Sequence, residues 1–317
     1  MTTPGKHYNY LFGPVPSRRL GRSLGVDLTP YKTCTLDCVF CQLGRTTVKT
    51  VTRDAYVPVA DVQGEIKTWL GEGGEADYIT LSGSGEPTLN SGFGEIIEYV
   101  HENSSIPVVL LSNGTLFWMP EVRESAANAD IVKLSLSAWD SVSFEQVNRP
   151  HEDLDLDRVV AGQRVFRKEF SGKLWIEVFL IEGMNAASRD VERIAELVKT
   201  IEPDEVHLNT AVRPPAEDFV QPLSRERMEQ LTDLFHPPAK IIAEFPLDKS
   251  AHIAATEETI MEMLQRRPCT ARQIADVFGM HLNEVSKYLG KLSRSGRIGT
   301  RSMHDDTYYA AKGGKSE

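Results

Sequence analysis

A chain of 317 residues, 41% hydrophobic and 25% charged, has an ordinary soluble composition with room for one large domain and a small one, which excludes disorder as the default. No run approaches the roughly 20 apolar residues of a membrane span, and the first seven residues lack the apolar core of a signal peptide, so a cytoplasmic protein without membrane contact is expected. The formal net charge of −10 argues against nonspecific affinity for nucleic acid, although residues 251–317 carry a slight excess of Lys and Arg.

In chain order, short apolar runs alternate with amphipathic stretches, the pattern of repeated βα units with parallel strands. Strands are expected at 23–28, 78–82, 108–112, 131–137, 174–181 and 206–210. Helices are expected at 62–70, 94–102, 156–170 and 189–201, where apolar positions recur every three or four residues. Six strands predict an α/β fold, a partial (β/α)6 TIM-like barrel over residues 1–246. After a Pro-rich stretch, helices at 256–265, 270–278 and 282–294 precede an alternating segment at 297–311. That order resembles a small C-terminal winged helix-turn-helix-like domain over 251–312.

Ligands of parallel α/β folds collect beyond the carboxyl ends of the strands. There the chain places Ser82-Gly83-Ser84-Gly85-Glu86-Pro87, then Asn113-Gly114-Thr115, then Ser137-Ala138-Trp139-Asp140. Each has a plain structural alternative: Glu86 a solvated loop carboxylate, Asn113 an Asn-Gly turn, Ser137 and Asp140 helix caps.

Three of the four cysteines fall in Cys34-Thr35-Leu36-Asp37-Cys38-Val39-Phe40-Cys41, a C-x3-C-x2-C spacing after the first expected strand. Three thiolates can ligate three irons of a [4Fe-4S] cubane and leave the fourth open for an outside ligand. Zinc is the rival, but a structural zinc site is closed by four ligands, and no fourth Cys or His lies nearby in the sequence. Cys269 stands alone, reads as a small buried residue, and with the other three cannot build a second all-cysteine cluster.

The triplet, with the aromatic Phe40 before its last cysteine, resembles the signature of the radical S-adenosylmethionine (SAM) superfamily. Residues 13–25 before it and Gln42-Leu43-Gly44-Arg45-Thr46 after it resemble the wyosine-synthase-like Fe-S oxidoreductase branch. The resemblance covers roughly residues 10–215. It implies a [4Fe-4S] cluster on Cys34, Cys38 and Cys41, with SAM bound beside it. Ser84-Gly85-Glu86 is similar to the Gly-Gly-Glu motif that holds the SAM amino group, with Ser84 where a glycine is common. Phe40, Asn113, Ser137 and Asp140 match further SAM-contacting positions. The activity implied is reductive cleavage of SAM to a 5′-deoxyadenosyl radical that abstracts hydrogen from a modified nucleoside, small metabolite or protein side chain. A flavodoxin- or ferredoxin-type donor would supply the electron.

Two other readings remain. In one, a cluster- or SAM-responsive regulator binds DNA through the third helix of the tail, with Lys287, Lys291, Arg294 and Arg297 meeting phosphates. In the other, the chain installs a glycyl radical on a partner protein. Arg18, Arg19 and Arg22 are either an anion site or salt bridges to an acidic body, and His151 reads as a loop residue.

Overall fold

The computed structural model describes residues 8–17, 20–243, 256–278, 280, 282–303 and 306–312. The chain runs β1 (Leu11–Ser17), β2 (Gly21–Val26), the two-residue strands β3 (Thr33–Cys34) and β4 (Val48–Lys49), then α1 (Val59–Gly71). It continues with β5 (Tyr78–Leu81), α2 (Phe93–Asn103), β6 (Val108–Leu111), α3 (Pro120–Ala126), β7 (Ile131–Ser135) and α4 (Ser141–Asn148). Then follow α5 (Leu156–Glu169), β8 (Lys173–Leu180), α6 (Ser188–Ile201), β9 (Glu205–Thr210), α7 (Arg225–Leu231) and β10 (Lys240–Ile241).

Eight strands form one sheet in the order β1-β2-β5-β6-β7-β8-β9-β10. Every pairing from β2 to β10 is parallel, and only β1 against β2 is antiparallel. The sheet ends at β1 and β10, which do not pair with each other, so it is an open, mostly parallel α/β sheet consistent with a partial barrel. The six expected strands fall on β2 and β5 to β9 within two residues at each end. Strands covered on both faces need apolar side chains on both, which is why they stand out as near-continuous apolar runs. β1 was not expected. Its Gly13, Pro14 and Pro16 obscure a strand, and Pro is tolerated at a sheet edge, where no further ladder bond is required of it.

The core lies between the sheet and its helices. Helix α6 shows how the pattern produces it: Val191, Ile194, Ala195, Val198 and Ile201 recur on one face and are buried, while the intervening charges stay outside. Burying each of the larger side chains is worth about 1.5–3 kcal/mol.

Beyond residue 255 come α8 (Glu257–Arg266), β11 (Cys269–Thr270), α9 (Ala271–Phe278), α10 (Leu282–Arg294), β12 (Ile298–Met303) and β13 (Asp306–Ala311). The three strands make a separate sheet, β11-β13-β12. These elements enclose their own apolar cluster, with Cys269 fully buried in it. Helix α8 opens with a capping box, Thr256 and Thr259 satisfying each other's backbone N–H groups. Among the described residues no helix is long and apolar enough to cross a membrane.

Candidate functional site

The three cysteines sit on a loop that starts at β3 and is fastened from several sides. The Asp37 and Val39 N–H groups donate to the Asn148 and Val147 carbonyls at the end of α4, at 3.0 and 3.1 Å. Thr46 donates from N to Asp37 Oδ1 (2.6 Å) and from Oγ1 to the Leu36 carbonyl (2.7 Å). The Glu217 N–H donates to the Val39 carbonyl, while its carboxylate receives Arg45 and Arg149. Arg149 has a left-handed backbone, φ 45°, unusual for a residue with a Cβ, and Lys49 Nζ holds it by donating to its carbonyl.

Each sulfur receives one N–H donor from a different part of the fold. Asn113 Nδ2, beyond β6, reaches Cys34 Sγ at 3.5 Å, and Asn148 Nδ2, ending α4, reaches Cys38 Sγ at 3.3 Å. Lys32 Nζ reaches Cys41 Sγ at 3.1 Å. Lys32 is 3% exposed and pairs with no carboxylate among the described residues. Burial, reinforced by the Glu86 carboxylate, pushes the Cys34 thiol up to about 12, and burial pushes Cys38 further up. Metal would have to displace both protons, so cation binding and thiol ionisation are coupled here.

Among the described residues no group of three or more His, Cys, Asp or Glu side chains is arranged to hold a single metal ion. A cubane takes each thiolate on a different iron, which requires wider spacing and fits three free thiols on one loop, each with a donor to spread its negative charge.

The Ser84-Gly85-Glu86 segment lies against the same loop. The Lys32 N–H donates to the Ser84 carbonyl (2.7 Å) and the Glu86 N–H to the Thr33 carbonyl (3.0 Å). Gly85 is required for this approach: a Cβ there would stand 1.9 Å from the Thr33 carbonyl oxygen. Ser84 donates from N and Oγ to the buried Asp27 carboxylate. Glu86, 2% exposed, accepts on Oε1 from Thr88 N, Thr88 Oγ1 and Ser112 Oγ, and on Oε2 from Asn113 N. Oε1 is saturated, whereas Oε2 keeps acceptor capacity. Glu86 is thus no solvated loop carboxylate.

The remaining candidates divide. Asn113 joins the cysteines, with Nδ2 also donating to Thr35 Oγ1 at 2.8 Å, and Gly114 behind it takes the positive φ of an Asn-Gly turn. Phe40 stacks on Phe179, centroids 4.0 Å apart, inside an apolar cluster under the loop. Ser137 Oγ accepts from Phe179 N. Asp140 caps α4 through Ser143, and its outer oxygen takes Arg193 at 3.1 Å, both of which hold its carboxyl below the usual range. Those bonds give Ser137 and Asp140 structural work, and neither bonds to a cysteine among the described residues. Arg22 pairs with Glu75 and Asp77 on the surface, while Arg18 and Arg19 lie outside the described residues. His151 is a loop residue whose N–H donates to the Thr35 carbonyl.

Sequence reading did not single out Lys32, Asn148, Asp27 or Arg213. Arg213, buried beyond β9, donates to Gln42, the residue after Cys41. Only Lys32 carried a local signal, a lysine two positions before the first cysteine.

The family model described as the Radical SAM superfamily matches residues 28–198. A UPF0026 protein of Methanocaldococcus jannaschii is 31% identical over 90% of this chain and 91% of its own length. A UPF0026 protein of Helicobacter pylori is 32% identical over 95% and 97%. The GTPase Obg of Brachyspira hyodysenteriae is 35% identical over 95% of this chain, which spans only 45% of that relative. Among solved structures, one of TYW1 with a lysine-pyruvate adduct aligns with a TM-score of 0.53 and 20% identity, covering 69% of this chain and 74% of that one. A radical SAM methyltransferase of Sphaerobacter thermophilus gives 0.53 and 19% over 69% and 65%. At these identities the two structures speak for the fold alone.

Proposed function

The chain belongs to the radical SAM superfamily and to the UPF0026 proteins, and from that premise we propose that Cys34, Cys38 and Cys41 hold its [4Fe-4S] cluster. Membership makes it an enzyme, an oxidoreductase or transferase that uses such a cluster and SAM. Bound together, the two supply one chemistry, reductive cleavage of SAM to a 5′-deoxyadenosyl radical, which in our reading abstracts hydrogen from the substrate. A flavodoxin- or ferredoxin-type protein is the proposed electron donor.

The observation that carries this reading is the convergence of one N–H donor on each thiol beside the Ser84-Gly85-Glu86 segment. Lys32 offsets negative charge on the sulfurs, and the Asn113 and Asn148 amides disperse it. Glu86 Oε2 offers its remaining acceptor position to the SAM ammonium, with Asn113 fixing the carboxylate's orientation. Phe40 supplies an apolar surface that its stacking on Phe179 keeps rigid. Ser137 and Asp140 act indirectly, through the strand and helix ends they cap.

We read residues 1–246 as the catalytic domain and 251–312 as a winged-helix-like domain, which its separate apolar cluster supports. Against the DNA-binding regulator stands the pairing of Lys291 and Arg297 with Glu257, which engages two of the four cations that reading needs and offsets one of their charges. A relative named as a probable dual-specificity RNA methyltransferase from Thermotoga petrophila, 26% identical over 70% of this chain and 64% of its own length, favours group transfer as the second reading.

The test is anaerobic reconstitution with iron and sulfide, followed by dithionite and SAM, in wild type and Cys38→Ala. Production of 5′-deoxyadenosine that disappears in the variant is expected. Equal production in both, or a SAM-inert cluster, would sink the reading.

A further inference from the structure

We propose that the chain binds a small phosphate monoester in a cavity between the segment that follows Cys41 and the C-terminal elements. The cavity measures about 370 Å³, inside the roughly 300–1,000 Å³ of small-molecule sites. Its walls come from three distant stretches: Tyr31 and Gln42 flanking the cysteines, Pro214 beyond β9, and residues of α8, β12 and β13. Only the docked C-terminal elements close it.

Charge selects the occupant. Arg267, Arg301 and Lys312 line the cavity, and among the described residues no Asp or Glu does, in a chain of net charge −10. Arg301 is committed to Asp218 and the Pro215 carbonyl. The Arg267 guanidinium and the Lys312 ammonium have no acceptor among the described residues. Lys312 is set in place by its backbone N–H, which donates to the Arg297 carbonyl at 2.8 Å, and its stem lies across Gly299. A Cβ at Gly299 would come within 3.1 Å of Lys312 Cε and displace it.

Two cations without an acceptor among the described residues, Arg267 half-buried and Lys312 exposed at the rim, suit a dianion. A phosphate monoester carries about −1.5 to −2 at neutral pH and three acceptor oxygens, whereas a carboxylate leaves one cation unmatched. The organic part has an apolar wall in Tyr31, 49% exposed and held by its hydroxyl on the Leu43 carbonyl, and in Pro214. The occupant would touch Gln42, one residue from Cys41. The site itself stands whether or not the cluster reading holds, because its residues are neither the cysteines nor their donors.

The experiment is isothermal titration of the full chain with phenyl phosphate, benzoate and phenol. Phenyl phosphate is expected to bind one site at least about tenfold more tightly than benzoate, with phenol inert. Arg267→Gln and Lys312→Gln should each weaken it about tenfold or more, with unchanged melting temperature. Lys287→Gln, a cation on α10 outside the cavity, should bind as wild type. Equal affinity for benzoate, wild-type binding by both cavity variants, or no binding of phenyl phosphate would overturn the proposal. So would capture of a single-stranded RNA through Arg267 and Lys312 with phenyl phosphate inert.

Discussion

Lys32, 3% exposed, sets its Nζ 3.1 Å from Cys41 Sγ, where burial weakens the screening of charge by water. Reduction adds negative charge to a cluster, and hydrogen bonds and charge near the sulfurs set its potential. Lys32→Met should therefore lower the midpoint potential of the reconstituted cluster while leaving its iron content intact. Potentiometric titration followed by electron paramagnetic resonance would read it, and an unchanged potential would remove Lys32 from that role. Glu217 makes the second prediction at this scale. The Arg149 hydrogen bond, then the one from Arg45, holds its carboxyl below the usual carboxylate range. A depressed carboxylate stabilises the fold above its unfolded pKa, and that stability is lost as pH falls through the folded value. The urea midpoint of Glu217→Gln should fall below that of wild type at pH 7, with the gap closing in acid. A gap independent of pH would refute the linkage. Cys34, Cys38 and Cys41 were legible because chemistry demands a residue type at a local spacing. Asn148 was not, since its partner Cys38 is 110 positions away.

The loop that carries the cysteines is held by the ends of elements rather than by its own structure. Two residues beyond β5 the chain turns at Gly83, whose φ of 137° few other residues adopt, and the bend that follows is bonded to Lys32 and Thr33 through Ser84 and Glu86. Gly85→Ala cannot be accommodated without moving the Thr33 backbone, and Cys34 with it. We expect that variant to fold with reduced stability and to bind iron substoichiometrically, measured by iron and sulfide analysis after reconstitution. Full loading would show that the close approach is dispensable. Strands β2 and β5 to β9 were readable because burial on both faces leaves an apolar run. Strand β1 was not, since an edge strand needs only its partner β2 and tolerates proline. Asp140 illustrates competition at a strand end: the same residue that matches a cofactor position also satisfies α4 through a capping box, typically worth about 1 kcal/mol.

At the scale of the whole molecule, the C-terminal elements reach the site through Arg266. Its guanidinium pairs with Asp27 and donates to Ser84 Oγ, lying 4.5 Å from the Phe12 ring. Tyr308 adds a bond from its hydroxyl to the Val212 carbonyl. Asp27 is buried, so deleting its partner leaves a carboxylate compensated only by the Ser84 N and Oγ donors, which costs stability. Arg266→Ala should lower the urea midpoint strongly, and adding Asp27→Asn should recover part of the loss. Additive effects of the two substitutions would show that the pair is not coupled. The double variant would also loosen Ser84, linking the C-terminal elements to the segment proposed to hold SAM.

Sequence by itself determined six strands of the main sheet, the longer helices, and the thiol triplet with the chemistry its spacing suits. Periodicity follows from which face each residue buries, and a cluster needs three thiolates whatever the fold around them. The family resemblance rests on those same local features. Tertiary structure alone decided what surrounds the sulfurs, that Glu86 is locked by Ser112 and Asn113, and that Arg266 meets Asp27 across 239 positions. Such contacts join residues whose separation along the chain carries no periodic signal. They exist only once parallel crossovers bring the strand ends to one side of the sheet.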